Sequence, residues 1–271
     1  MFRVQKIDSF DLPELQPYRT MRRQREHRQA GIFVAEGEKV VRRLLASRFG
    51  VVSVLLPQKW LEELEPLLQA RAEQVQVFVA PKDLLERLTG FSMYQGLLAV
   101  GQVPPPRPLE EILASAARPY LLIATDGLSS AENLGAVVRN SAAFAVQALL
   151  TGDTCTSPFL RRAVRSSMGT LFELPVVEGV DLPKLLPQIK GLGFRVIAAH
   201  AHTRSRTLAQ ADFTRDTCLV LGSEGYGISP TALAACDELV AIPMAPGVDS
   251  LNVGCAAAVF LYEANRQRGR M

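Results

Sequence analysis

"TCLVLGSEGYGISP", residues 217 to 230, sets the architecture of this chain. An apolar run with no alternation reads as a strand buried on both faces, the kind found in parallel sheets covered by helices. It ends in three glycines, Gly222, Gly225 and Gly227, and Ser229-Pro230 then opens a helix as cap and first residue. Glycines directly after a strand let backbone come close to a ligand. Their spacing is G-x-x-G-x-G and not the dinucleotide G-x-G-x-x-G, so the Rossmann fingerprint is not met. The G-x-G of "KGLGFRVIAA" precedes its strand instead of following it, and reads as a loop.

Working outward, the same alternation continues in both directions. "YLLIATDG", "VQALLTGD", "LFELPVV", "FRVIAAHA" and "LVAIPMA" are strand-like, and helical patterns such as "NLGAVVRNSAAFA" and "LPKLLPQIKGLG" separate them. This predicts an α/β fold with a mostly parallel sheet flanked by helices. "VPPPRP" at 103–108 continues neither a helix nor a central strand. It divides a small N-terminal α/β domain, 1–104, from a Pro-rich linker, 105–117, and a larger domain, 118–271.

The chain of 271 residues is 48% apolar, ample for a core, with a net charge of only +3. No apolar run approaches the roughly 18 residues of a membrane span, and "MFRVQKIDSFDLPEL" lacks a signal peptide's uninterrupted apolar region. Cys155, Cys218, Cys236 and Cys255 are scattered without C-x-x-C spacing. They read as reduced thiols of a cytoplasmic protein without a metal site. The charge is unevenly placed: Arg19, Arg22, Arg23, Arg25 and Arg28 lie within one short stretch, and "FLRRAVRSS" carries Arg161, Arg162 and Arg165. Two readings stand, solvated helix faces or a surface for a polyanion, since arginine forks suit phosphate.

Three stretches could carry chemistry. In "AENLGAVVRNSAAFA", Asn133 is placed to cap a helix, and Arg139 shares a helix stripe with Gly135, Ala142 and Ala143. The glycine turn is the second. The third is "PMAPGVDSLNVGCAAAVFLYEANRQ", 243–267, where Asn252 stands at the mouth of a small-residue helix. A buried amide there must find partners. Ser157-Pro158 predicts a helix start, with Arg161 and Arg165 one turn apart on one face. His200 and His202 read as strand-end residues. Trp60 and the five tyrosines form no base-stacking stripe.

"NLGAVVR", "LVLGSEGYGIS" and "IPMAPGVDSLNVGCAAAVFLYE" together resemble the three signature motifs of the SpoU (TrmH) class of SPOUT methyltransferases, in the right order. "SPFLRRAVRSSMGTLFELPV" also resembles the family's pattern, and the likeness spans roughly residues 120 to 266. The departures, Ala145 for a common glycine and Gly254 for serine or another small residue, touch no presumed contact. More loosely, "RRQREHRQAGIFVAEGEKVVRRLL" and "SMYQGLLAV" resemble the L30e-like substrate-binding domain that many members carry.

The resemblance implies transfer of methyl from S-adenosylmethionine to a ribose 2′-hydroxyl of RNA, a C-terminal trefoil knot and a homodimer. It assigns Leu221, Gly222, Gly225, Ile242, Met244, Leu251 and Val253 to the cofactor. It assigns Arg139 to the reacting hydroxyl and adjoining phosphate, with Asn133, Glu224, Ser250 and Asn252 completing the site. Because guanidinium stays protonated, Arg139 is expected to act as a cationic donor to developing alkoxide and not as a free base. Arg19, Arg22, Arg23, Arg25, Arg161, Arg162 and Arg165 are expected to line the RNA path. The favoured substrate is 23S ribosomal RNA. Transfer RNA, a non-catalytic RNA-binding relative and a Rossmann-type nucleotide enzyme are the competing readings.

Overall fold

The computed structural model describes residues 2–89, 96–201 and 206–270; His202 and residues 92–95 of "SMYQGLLAV" lie outside them. The chain forms two compact units, Met1–Pro105 with Phe159–Phe172, and Pro106–Pro158 with Glu173–Met271.

In the first unit, five described strands form one sheet: β1 (Phe2–Lys6), β2 (Ile32–Glu36), β3 (Val51–Leu56), β4 (Val75–Val79) and β5 (Leu98–Gln102). Their order is β1-β4-β3-β5-β2. The first three in that order run parallel, and β5 is antiparallel to both of its neighbours. Helices α1 (Gln16–Arg19), α2 (Gln24–Gln29), α3 (Glu38–Ala46), α4 (Lys59–Gln69) and α5 (Lys82–Thr89) accompany it. Apolar residues of α3 recur as Val40, Val41, Leu44 and Leu45, all buried, which is the stripe a sheet-covering helix needs.

Residues 159–172 pack with this unit and not with their sequence neighbours, for an aromatic reason. Phe33 stacks on Phe172 with centroids 5.6 Å apart and meets Phe159 at 5.8 Å, while Phe49 meets Phe172 at 5.3 Å. Contacts in this range add stabilisation beyond the area they bury. Leu160 precedes the short helix of this segment, Arg161–Ser166. The expected start at Ser157-Pro158 is therefore corrected: Pro158 lies too far ahead to be a first helical residue.

In the second unit the described strands β6 (Leu121–Asp126), β7 (Ala148–Gly152), β8 (Val176–Val180), β9 (Arg195–Ala199), β10 (Thr217–Gly222) and β11 (Glu238–Val240) are all parallel. Their order is β11-β9-β10-β6-β7-β8. β6 and β7 are buried along their whole length, as the unbroken apolar runs require. Helices α6 (Leu109–Ala114), α7 (Ala131–Ala143), α9 (Leu182–Gly191), α10 (Pro230–Ala234) and α11 (Val253–Gln267) join them, α8 being the Arg161–Ser166 helix of the first unit. Ser229 caps α10 and Pro230 is its first residue, as the sequence predicts.

Near the end of the chain Arg268 ties four carbonyls together. Its guanidinium donates to Phe213, Pro119, Tyr120 and Arg215 oxygens at 2.7–3.0 Å. Burial pushes its pKa down to about 10. This arginine of the basic tail is thus spent on structure, because strand-end carbonyls left dry need donors.

Candidate active site

At the carboxyl ends of β9, β10 and β11 lies a cavity of about 300 Å³, inside the second unit. Parallel sheets place ligands at this edge because the loops and helix starts that follow the strands gather there. Leu221, Ile228, Ile242, Met244, Leu251, Val253 and Phe260 supply apolar wall, and Glu224 and Ser250 supply polar groups.

The glycine turn makes one wall. A Cβ added to Gly222 would lie 2.2 Å from the Gly227 carbonyl carbon and 2.3 Å from the Ile228 nitrogen. Those are backbone atoms and have no room to move aside, so position 222 requires glycine. Asp126, at the end of β6 beside Gly222, accepts the Ser229 N–H at 2.7 Å and holds the far side of the turn.

Above this wall the starts of α7 and α11 and the turn after β10 meet through their side chains. The Gly254 N–H donates to Asn252 Oδ1 at 2.9 Å, and Asn252 Nδ2 donates to Asn133 Oδ1 at 2.9 Å. Asn133 Nδ2 then donates to the Glu224 carboxylate. Each amide gives with its nitrogen and receives with its oxygen or passes on the chain, so neither is free to flip. Asn252 is also the N-cap of α11. The chain of donors thus points one way, from a helix N-terminus to a carboxylate beside the cavity. The Asn133–Asn252 contact spans 119 residues of sequence.

One expectation needs correction. Asn133 is not the cap of α7: Ser130 is, its Oγ accepting from the Asn133 N–H at 3.3 Å. That leaves the Asn133 side chain for Glu224 and Asn252, a more demanding use. Helices α7 and α11 approach closely here. A Cβ on Gly254 would sit 2.8 Å from that of Ala136, and Asn140 Nδ2 donates to the Gly254 carbonyl at 2.7 Å. Residue 254 is therefore small because the helices touch at it.

The residues expected to hold a cofactor, Leu221, Gly222, Gly225, Ile242, Met244, Leu251 and Val253, all line this cavity. Of the expected catalytic set, Glu224 and Ser250 line it and Asn133 and Asn252 join it through hydrogen bonds. Arg139 is not among the lining residues. It lies exposed on α7, six residues and about 9 Å of helix rise beyond Asn133. Among the described residues it makes no ion pair.

All seven arginines expected on an RNA path belong to the first unit. Arg19, Arg22, Arg23, Arg25, Arg162 and Arg165 are exposed, and Arg23 pairs with Glu26 at 3.0 Å. Arg161 and Arg165 both bind Glu36, a carboxylate 5% exposed, Arg165 at 2.9 Å. A buried carboxylate needs such partners, so these two hold α8 in place.

Sequence reasoning missed His200, Tyr226, Val240, Ala256 and Phe260 as lining residues. For His200 the signal was available: it directly follows β9, at the carboxyl edge where ligands bind. For Phe260 none was, since its place on the wall depends on how α11 lies. Among the described residues there is no cluster able to hold a metal ion and no helix long and apolar enough to cross a membrane.

Comparison with known proteins is consistent with this geometry. The family model of the SpoU rRNA Methylase family matches residues 120–262. A protein of Mycobacterium tuberculosis described as an uncharacterized tRNA/rRNA methyltransferase is 35% identical, covering 97% of this chain and 92% of its own length. The crystal structure of the SpoU methyltransferase AviRb from Streptomyces viridochromogenes in complex with the cofactor AdoMet superposes with a TM-score of 0.82 at 26% identity. It covers 96% of this chain and 100% of that one. An AdoMet-bound rRNA methyltransferase from Sinorhizobium meliloti shares the fold, with a TM-score of 0.83 at 22% identity over 97% of this chain and 98% of its own.

Proposed function

The chain belongs to the SpoU rRNA Methylase family and is an S-adenosylmethionine-dependent RNA 2′-O-methyltransferase; on that premise we propose how its own residues do the work. The observation that carries the reading is the relay of Asn252, Asn133 and Glu224 at the mouth of an apolar cavity. The lining fits an adenosyl group: apolar walls and a glycine wall at Gly222 that admits no side chain, with the Glu224 carboxylate and Ser250 hydroxyl left over for the acceptor. S-adenosylmethionine supplies, when bound, a methyl group on a positively charged sulfur.

Leu221, Gly222, Gly225, Ile242, Met244, Leu251 and Val253 hold the cofactor and exclude water from it. Asn133, Asn252, Ser250 and the Glu224 carboxylate orient the acceptor ribose. Such alignment is worth about 7–11 kcal/mol of barrier in well-oriented systems. Arg139, exposed and without an ion pair among the described residues, clamps the acceptor phosphate and stabilises alkoxide character as the hydroxyl oxygen takes the methyl group and gives its proton to water.

The finer assignments follow from this reading. Residues 1–104, with 159–172 packed on them, form an L30e-like RNA-binding domain, and the rest of 105–271, helix α6 included, forms the catalytic domain, whose C-terminal segment passes through a trefoil knot. Arg19, Arg22, Arg23, Arg25, Arg162 and Arg165 offer exposed cations to phosphate, with Arg161 behind them on Glu36. The substrate is large-subunit ribosomal RNA, and the site of action is the cytoplasm, where four free thiols are at home. Two copies pair through the catalytic domain: Cys255, Val259 and Tyr262 form an exposed stripe along α11 at helical spacing, with Leu251 exposed just ahead of it.

The test is methyl transfer from labelled S-adenosylmethionine to unmodified ribosomal and transfer RNA transcripts, with the product mapped. Modification of a 2′-hydroxyl in large-subunit RNA is expected; modification of transfer RNA alone would reassign the substrate. Arg139→Lys keeps the charge but loses the planar fork. It is expected to lower kcat by about 100-fold or more, the scale of losing one oxyanion donor, and near-normal turnover would remove Arg139 from that role.

A further inference from the structure

Tyr226 is 98% exposed, whereas the other exposed large apolar side chains among the described residues stop at 49%. A tyrosine ring is large enough to anchor a core, so leaving one bare calls for a use. Its position is built and not frayed. The Ser223 N–H donates to the Gly227 carbonyl at 3.0 Å and the Gly227 N–H to the Ser223 carbonyl at 2.9 Å. Between them, the Tyr226 N–H donates to Ser223 Oγ at 3.1 Å. Gly222 packs against the base of this closed turn.

Tyr226 lines the cavity together with Glu224 and Ser250. Its neighbours Gly225 and Gly227 carry no side chain, and a Cβ added at either would meet nothing within 4 Å. At 98% exposure the ring itself is open to a flat group. Aromatic rings stack on nucleobases with little regard to sequence, at about 1–3 kcal/mol per base. A stripe of aromatics would track several nucleotides; one ring beside the reacting groups serves one.

We propose that Tyr226 is the stacking platform for the nucleobase of the nucleotide whose ribose is methylated. This rests on the RNA methyltransferase reading above and adds to it a residue that touches the base. The ring contributes by holding the base, and with it the sugar, against the relay of Asn133 and Glu224. The cofactor's own adenine is the competing flat group, and so is the surface of a second copy of the chain.

The experiment compares the full-length protein with its Tyr226→Ala, Tyr226→Leu and Tyr226→Phe variants on the transcripts used above. It reads kcat/KM for RNA, the calorimetric Kd for S-adenosylmethionine, and the sedimentation mass. Tyr226→Ala is expected to lower kcat/KM by about 5- to 150-fold, the equivalent of one stacked base, with cofactor Kd within about twofold and mass unchanged. Tyr226→Phe is expected to recover most of the loss and Tyr226→Leu little of it. An abasic site at the mapped nucleotide should cost the wild type a similar factor and cost Tyr226→Ala nothing more. Activity of Tyr226→Ala within twofold of an active wild type overturns the stacking role alone. An equal loss of cofactor affinity assigns the ring to adenine, and a lowered mass assigns it to the subunit contact, each overturning the proposal. A wild type that methylates neither transcript sinks the parent reading, and this one with it.

Discussion

Gly222 concentrates the demands of the site in one residue. It ends a buried strand, borders the cavity and leaves no space for a single carbon against the Gly227–Ile228 backbone. Gly222→Ala pushes on backbone that cannot yield, an overpacking worth about 1–3 kcal/mol. The expected result is S-adenosylmethionine binding weakened at least about tenfold with a lowered melting temperature, measured by calorimetry and thermal unfolding. The glycine was legible from sequence, because a glycine directly after an apolar run has few other uses. Its clash partner was not, since the turn folds back five residues to meet itself. Asn133 shows the same limit: its type suggested a cap, and only the fold shows that Ser130 does that work and frees the amide.

Among the elements, α11 does more than close the sheet. Its first turn is capped by Asn252, its second residue is pressed against α7, and its wall residues Val253, Ala256 and Phe260 face the cavity. Asn252→Ala removes the cap, worth about 1 kcal/mol, and breaks the relay at its middle. We expect a fall in stability of about 1–2 kcal/mol by denaturant unfolding, with a larger fall in turnover because Asn133 and Glu224 lose their orientation. Asn252→Asp, which retains the capping oxygen, should restore the stability and not the turnover. The small residues of this helix were readable as a close packing face. That Ala136 is the opposing residue was not, because the two helices are more than a hundred residues apart.

For the whole molecule, acid stability and self-association give separate tests. The Glu263 carboxylate accepts from Arg266 at 2.7 and 2.8 Å and from Gln267 at 2.8 Å. The Arg266 hydrogen bonds come first among the causes that lower its pKa from 4.5 to about 2. Its folded pKa lies below the unfolded one, so the unfolded chain takes up the proton first as pH falls. The contribution is full above about pH 4.5 and is lost on descending toward pH 2. Solvent screening keeps it small. Glu263→Gln should flatten the acid limb of the melting-temperature profile across that window, and leave the profile at pH 7 displaced by a small constant amount. Val259→Asp, on the exposed stripe of α11, places a charge in the proposed subunit contact. Sedimentation should then show monomers where the parent protein sediments as a dimer, and an unchanged mass would remove that face from the contact.

The sequence by itself determined the parallel α/β plan, the proline division near residue 105 and the short list of residues around the cavity. These are local properties: unbroken apolar runs, glycines after strands, caps before helices. Tertiary structure alone decided that residues 159–172 pack with the first unit, that Glu36 takes two of the expected phosphate ligands, and that Arg268 is spent on carbonyls. It also decided that Tyr226, among the described tyrosines, stands bare at the cavity. A charge or a ring in a sequence shows what it can bind, but its partner is set by which distant segment the core brings beside it. That choice is made by packing and desolvation over the whole chain.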